Sequence, residues 1–119
     1  MRTVRITVPE TPPSLNEILR MHYHERHKEN ERWAGLVAMF DNRRKRGEPF
    51  KKASVTITYY FGNRVKRDPD NFAGKFILDS LVKTGVIEDD SFSNVDLLLV
   101  GKVDKDNPRT EILVEEVRE

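Results

Sequence analysis

The sequence predicts a single α/β domain, α+β-like in character, in which two helices pack on a mixed sheet of about four strands. Its 119 residues suit one ordinary domain. Four segments alternate or run apolar as strands do, and two segments carry helical apolar stripes. The predicted order is β-α-β-α-β-β. No repeat or linker divides the chain, so the predicted domain spans residues 1–119.

The four predicted strands differ in their patterns. Residues 3–8 and 53–60 alternate apolar and polar side chains, which is typical of strands with one buried face. Residues 95–103 are apolar on both faces in the middle, which favours a central strand covered on both sides. Residues 111–117 alternate again after a polar turn, so we expect the last two strands to pair as a hairpin.

The two predicted helices span residues 25–46 and 72–84. In the first, Trp33, Leu36, Val37 and Phe40 form one apolar stripe. Its predicted end carries four cations at 43–46 before a glycine, as helix C-termini often do. The second is mostly apolar and should be largely buried, with Asp70 or Asn71 as its N-cap and Gly85 just after it. The proline-rich segment 9–16 is expected to be a stiff connector, neither helical nor a central strand.

The composition excludes several classes of protein. The chain has no cysteine, so it has no disulfide, no thiolate zinc site and no cysteine nucleophile. Its first residues lack the apolar core of a signal peptide, and no run is long and apolar enough to span a membrane. These features fit a cytoplasmic protein that makes no membrane contact.

The charges separate along the chain although the net charge is only +1. Residues 1–41 are neutral overall, residues 42–67 carry a net charge of +8 and residues 68–119 carry −7. Such asymmetry is typical of a nucleic-acid surface beside an acidic site, or of an ordinary solvated surface. The isoelectric point near 8.0 is below that of a typical basic binding protein, so charge alone favours the ordinary surface.

The most informative stretch is Arg67-Asp68-Pro69-Asp70-Asn71. Pro69 disfavours helical backbone at Asp68, and extended backbone directs residues two apart to the same side. Two carboxylates aimed at one point repel each other unless a cation lies between them, and a hard divalent cation such as Mg²⁺ suits that arrangement. Because a basic stretch immediately precedes these acids, the pattern suggests metal-assisted chemistry on a polyanion such as nucleic acid.

Two further polar features have both an ordinary and a functional interpretation. Lys75 and Asp79 are spaced as an exposed helical ion pair, or Lys75 lies over the acidic site and stabilises charge on a phosphate. Asp89 and Asp90 belong to a solvated acidic loop, or they supply a third carboxylate to the same metal site.

The three histidines form a separate group at positions 22, 24 and 27. Their spacing on a helix or strand face makes a metal site conceivable. No cysteine or third ligand at diagnostic spacing supports such a site. Surface positions, with occasional phosphate contact, are the better interpretation.

Taken in order, the motifs resemble the RusA family of Holliday junction resolvases. The matching residues are Pro12-Pro13-Ser14 with Asn16, then Asp68-Pro69-Asp70-Asn71, Lys75 with Asp79-Ser80-Leu81, and Lys83-Thr84-Gly85 leading to Asp89-Asp90. The resemblance covers nearly the whole chain, from about residue 6 to 117. The combination of these motifs is much more specific than Asp-x-Asp-Asn alone.

The resemblance implies a small homodimeric endonuclease, of a kind common in phages and prophages, that nicks four-way DNA junctions symmetrically with Mg²⁺ or Mn²⁺. It implies that Asp68, Asp70 and Asp90 are the catalytic carboxylates and metal ligands, that Asp89 lies beside them at the metal, and that Lys75 is the essential lysine. No small-molecule cofactor is expected. One departure is an extra residue around positions 72–74, so Lys75 reaches the site if the helix starts one residue later.

The remaining candidates are residues expected to contact DNA without reading its sequence. They are Arg43, Arg44, Lys45, Arg46, Lys51, Lys52, Arg64, Lys66, Arg67, Asn16 and Asn71. A DNA-junction-binding protein without cleavage and a less selective structure-specific phosphodiesterase remain alternatives to a junction resolvase.

Overall fold

The computed structural model describes residues 2–118, which form a four-stranded mixed sheet and three α-helices. This confirms the predicted fold class. In chain order the elements are β1 (Thr3–Val8), α1 (Leu15–Arg20), α2 (Tyr23–Phe40), β2 (Ala53–Phe61), a 3₁₀ turn (Pro69–Asn71), α3 (Lys75–Lys83), β3 (Val95–Val103) and β4 (Arg109–Glu116).

The strands lie in the order β1-β4-β2-β3. β4 is antiparallel to both of its neighbours, whereas β2 and β3 are parallel. A parallel pair needs a crossover connection, and α3 supplies it between β2 and β3. The predicted hairpin of the last two strands is therefore wrong, because β2 lies between β3 and β4.

The hydrophobic core lies on one face of the sheet. Alternate residues of β1, β2 and β4 are buried there, and the residues between them are more exposed. Helices α2 and α3 cover this face with apolar side chains, including Trp33, Val37, Phe76, Ile77 and Leu81, each at most 2% exposed. The predicted apolar stripes of both helices are thus confirmed, and the opposite face of the sheet has no helix from residues 2–118 on it.

β3 is an edge strand, which corrects the prediction of a central strand. Only its first residue, Val95, is buried. Leu97 and Leu98 are 40% and 57% exposed. Its apolar pattern looked central because both faces carry leucines, but within the described chain β3 has a partner on one side only.

α1 is a helix that the sequence reading missed, because the prolines before it dominated the pattern. Ser14 is its N-cap and forms a capping box with Glu17: the Glu17 amide donates to Ser14 Oγ (3.2 Å), and the Ser14 amide donates to Glu17 Oε1 (3.1 Å). This reciprocal pair satisfies two amides that a helix start leaves free. The proline-rich segment therefore leads directly into a helix and does not exclude one.

α2 ends at Phe40, six residues before its predicted end. The cause is Asp41, which is 5% exposed and accepts hydrogen bonds from the guanidinium and the amide of Arg43. Such local side-chain bonding competes with helical hydrogen bonds. The cations at 43–46 thus lie in a loop instead of the last helical turn, although Arg46 still donates to the Ala38 carbonyl near the helix end (3.1 Å).

α3 starts at Lys75, three residues after the predicted start. Gly74 is its N-cap and has a left-handed φ of 83°, so neither Asp70 nor Asn71 caps the helix. The predicted glycine after its end is confirmed, since Gly85 has a φ of 75°. No helix within residues 2–118 has both the length and the apolar character that crossing a membrane requires.

Candidate functional site

The first acidic segment follows the end of β2. Asp68 has extended backbone (φ −104°, ψ 141°), as predicted from the proline after it. Pro69 and Asp70 then enter the 3₁₀ turn, where the Asn71 amide donates to the Asp68 carbonyl (3.0 Å). Asp68 and Asp70 are both exposed. The turn therefore presents two carboxylates to solvent on a short, internally bonded segment.

A side-chain hydrogen bond fixes this turn to α1. The amide of Asn16, in the first turn of α1, donates to Asn71 Oδ1 (3.0 Å). This bond joins Asn16 and Asn71, which were both predicted to contact DNA. The side-chain oxygen of Asn71 accepts a hydrogen bond from within the protein. The bond shows that α1 positions the acidic turn, a role that periodicity did not indicate.

The second acidic segment lies between α3 and β3, where Asp89 and Asp90 are exposed. The Asp90 amide donates to Asp89 Oδ1 (2.9 Å). Hydrogen bonds connect this loop to the segment before β2: Glu88 N–H donates to the Phe50 carbonyl (2.9 Å), and Asn94 Nδ2 donates to the Lys51 carbonyl (2.9 Å). The loop is therefore anchored at both ends.

Both acidic segments border clefts along β3. Asp68 lines a cleft with Leu99 and Gly101, and Asp90 lines another with Leu97 and Leu78. Leu97 and Leu99 are successive residues on one face of β3, about 7 Å apart along an extended strand. The two clefts thus follow each other along the open edge of the sheet, with one acidic segment at each.

Lys75 is the first residue of α3, directly after Gly74. Its ammonium is 3.6 Å from Asp79 Oδ2, so the ordinary interpretation of this pair as a helical ion pair is confirmed. The same helix face carries Leu78, three residues on, which lines the cleft of Asp90. Lys75 itself lines a third cleft, with Pro12 and Asn71.

The carboxylates do not form a closed metal site. Within residues 2–118, no three histidine or acidic side chains are grouped closely enough to hold a metal ion. The same part of the chain gives the carboxylates of Asp68, Asp70 and Asp90 no hydrogen bond or ion pair. Exposed, unpaired carboxylate oxygens are the ligands that Mg²⁺ and Mn²⁺ prefer, so the donor chemistry fits such an ion.

The basic residues that flank β2 lie at its two ends rather than in one patch, apart from the cations at 43–46 in the loop after α2. Lys51 and Lys52 precede this strand, next to the loop of Asp90, whereas Arg64, Lys66 and Arg67 follow it, next to Asp68. Nine strand residues separate the two groups by nearly 30 Å. Each acidic segment consequently has its own basic neighbour.

Several of these cations have structural partners. Arg43 makes a two-point ion pair with the buried carboxylate of Asp41, its Nη2 lying 2.7 Å from Oδ2. This pairing holds the pKa of Asp41 below its ordinary value. Arg67 donates to the carbonyls of Asn63 and Val65. Arg44, Lys45, Arg64 and Lys66 are exposed cations on loops.

Sequence reasoning missed an aromatic group beside Asp68, formed by Tyr59, Phe61 and Phe72. Tyr59 and Phe61 face the core side of β2, and Phe72 follows the 3₁₀ turn. Their ring centroids are 5.1–5.8 Å apart. The strand alternation predicted Tyr59 as core, but nothing in the local pattern placed Phe72 against it.

The histidines at 22, 24 and 27 are exposed, as expected. His22 is the N-cap of α2, and its Nδ1 accepts a hydrogen bond from the His24 amide (3.3 Å). The rings of His22 and His24 stack at 5.3 Å. A capping role accounts for this part of the histidine cluster.

An exposed acidic edge flanked by basic loops suits contact with a polyanion such as nucleic acid. The family model for endodeoxyribonuclease RusA matches residues 14–115 of this chain. The chain therefore belongs to the RusA endodeoxyribonuclease family, which confirms the resemblance found in the motifs. A search of curated proteins gives no match.

Proposed function

We propose that the protein is a metal-dependent endonuclease that binds four-way DNA junctions and resolves them by paired symmetric nicks, in DNA recombination and repair. The observation that carries the proposal is that Asp68 and Asp90 border neighbouring clefts on one open edge of the sheet, inside the region matched by the family. An exposed edge of this kind is accessible to a large, rigid polyanion.

In this proposal Asp68, Asp70 and Asp90 hold Mg²⁺ or Mn²⁺, with Asp89 beside them. A bound divalent ion supplies a more acidic water and polarises the phosphoryl oxygen. The carboxylates of Asp68, Asp70 and Asp90 are exposed and have no partner within residues 2–118, so they are free to approach the ion, which also offsets their repulsion of the DNA backbone. Binding of metal and DNA thus brings the two acidic segments together.

Lys75 acts on the scissile phosphate in this scheme. Its ion pair with Asp79 is exposed, with the lysine side chain 60% accessible, so exchanging Asp79 for a phosphate oxygen costs little. Its ammonium then stabilises the negative charge that develops on the phosphoryl group. The loop cations Arg44, Lys45, Arg64 and Lys66 hold the flanking phosphates.

The paired nicks call for a homodimer, because two sites related by a twofold axis match the symmetry of the junction. Sedimentation should give twice the 13.9 kDa mass of one chain. Paired nicks from a protein that stays monomeric on DNA would contradict the dimer.

The test is cleavage of a labelled mobile four-way junction, with linear duplex as control, in Mg²⁺ and in EDTA. We expect symmetric nicks in the junction alone, only with Mg²⁺, and a fall to the EDTA level in Asp70→Asn and in Lys75→Ala. Matched controls are Asp106→Asn and Lys105→Ala, which alter exposed charges in the turn before β4. Both controls should cut like the wild type.

Two other results would redirect the proposal. Tight junction binding with no nicks in any divalent ion would favour a binding protein without cleavage, an alternative supported by the separation of the carboxylates. Comparable cutting of flaps, single strands and junctions would favour a less selective phosphodiesterase.

A further inference from the structure

The cleft beside Asp68 is an aromatic cavity of about 230 Å³. Tyr59, Phe61 and Phe72 line it, with ring centroids of 5.1 Å between Phe61 and Phe72 and 5.8 Å between Tyr59 and Phe72. An apolar cavity of about 150 Å³ already accommodates a benzene-sized ring. The cleft is therefore large enough for a planar aromatic group and unsuited to a hydrated metal ion.

A glycine in β3 keeps this cavity open. Gly101 lies in the interior of the strand, where glycine normally weakens pairing and often marks close approach by a ligand. A Cβ added to Gly101 would meet only Phe61, at an ordinary 3.7 Å. The backbone thus tolerates a side chain at 101, and a large one would fill the cleft.

The polar groups at the cavity suit a ligand with hydrogen-bonding edges. The ring of Tyr59 lines the cavity, whereas its hydroxyl lies close to Gly74, just before α3. The guanidinium of Arg67 lies 4.1 Å from the ring centroid of Phe61, and Asp68 borders the opening.

We propose that this cavity binds one unstacked nucleobase of the DNA strand whose phosphate lies at Asp68. The proposal rests on the proposed function and names the structural feature of DNA that the site recognises. Aromatic rings and an arginine plane accept any base by stacking, without reading its sequence. Extruding a base costs least where pairing and stacking are already interrupted. A branch point offers such a base, whereas linear duplex does not, so the cavity makes binding selective for junctions.

The test measures junction affinity by fluorescence anisotropy in Mg²⁺, in an Asp70→Asn background that prevents cutting. Gly101→Phe fills the cavity and should weaken binding of an immobile four-way junction by about tenfold, the effect of losing one stacked base. Leu98→Phe is the matched control, because it adds a ring to the opposite face of β3. Gly101→Leu serves if the phenylalanine variant does not fold, and sedimentation verifies that each variant keeps the parent mass.

Abasic nucleotides placed at successive positions around the branch point identify the base. At one position we expect the parent to lose about tenfold in affinity and Gly101→Phe to lose nothing further, because both changes remove the same contact. The cavity proposal would be overturned if Gly101→Phe and Leu98→Phe bound the junction equally well, or if the losses in affinity were additive at every abasic position. Nicking by the wild type would still support the proposed function in that case. A parent that binds no junction would overturn both.

Discussion

Replacing Gly74 with alanine should destabilise the protein more than the same change at Gly85. Both glycines have a left-handed φ, 83° and 75°, so alanine costs about 1–2 kcal/mol of backbone strain at either position. Alanine also lowers the conformational entropy of the unfolded chain, which offsets roughly 0.4–1 kcal/mol of that strain. At Gly85 nothing lies within 4 Å of the added Cβ, so the net loss there should be about 1 kcal/mol.

At Gly74 the added Cβ would also lie 2.7 Å from Ile57 Cδ1. Ile57 is fully buried in the sheet core, so its methyl group has little room to withdraw. Overpacking of this kind adds about 1–3 kcal/mol, which brings the expected loss to about 2–4 kcal/mol. Gly74 is the N-cap of α3, so this loss would arise at the start of that helix.

The measurement is urea unfolding of wild type, Gly74→Ala and Gly85→Ala, followed by circular dichroism and tryptophan fluorescence. Unchanged slopes with separated midpoints give the two free energies of unfolding directly. The difference between the variants isolates the contact with Ile57, because the backbone strain is common to both. Equal losses in the two variants would refute the close packing of Gly74 against β2.

Three further predictions concern hydrogen bonds that fix loops around the sheet. Asp41→Asn should lower the free energy of unfolding at neutral pH by about 1.5–3 kcal/mol, the value of hydrogen bonds to a charged group. Because pairing lowers the folded pKa of Asp41, this contribution is complete above about pH 4 and is lost as the pH falls further. Wild-type and variant free energies of unfolding should therefore converge in acid, and a constant difference between them would contradict the pairing. Thr110→Val should cost about 1 kcal/mol in thermal or urea unfolding, because the fully buried hydroxyl donates to the Glu10 carbonyl (2.8 Å). Asn71→Ala should cost about 1 kcal/mol by releasing the Asn16 amide, whereas Asn71→Asp keeps the acceptor oxygen and should cost less; equal losses would argue against the bond.

Local patterns predicted most of the elements because their causes are local. The alternation of residues 3–8 and 53–60 corresponds to buried faces in β1 and β2, and the helical stripe around Trp33 is buried as expected. The extended backbone at Asp68 follows from one proline. Each of these features depends on neighbours within a few residues.

Strand order could not be predicted in the same way, because it depends on contacts between distant segments. The short connection from β3 to β4 looked like a hairpin turn, yet it passes across the end of β2. The Asp104 amide donates to the Phe61 carbonyl (2.9 Å), and the Arg109 guanidinium lies 3.7 Å from the ring centroid of Tyr60. A Cβ on Gly62 would be 3.2 Å from Pro108, so a glycine lets the connection pass closely.

The wrong placement of β3 and the position of the acidic site have one physical origin. A strand with leucines on both faces is normally buried, so an edge strand such as β3 leaves Leu97 and Leu98 exposed at a cost in stability. Local rules fail most often where function requires a feature that stability does not favour. Here the exposed edge is the one bordered by Asp68, Asp90 and Gly101, and the proposed function needs that edge open to DNA.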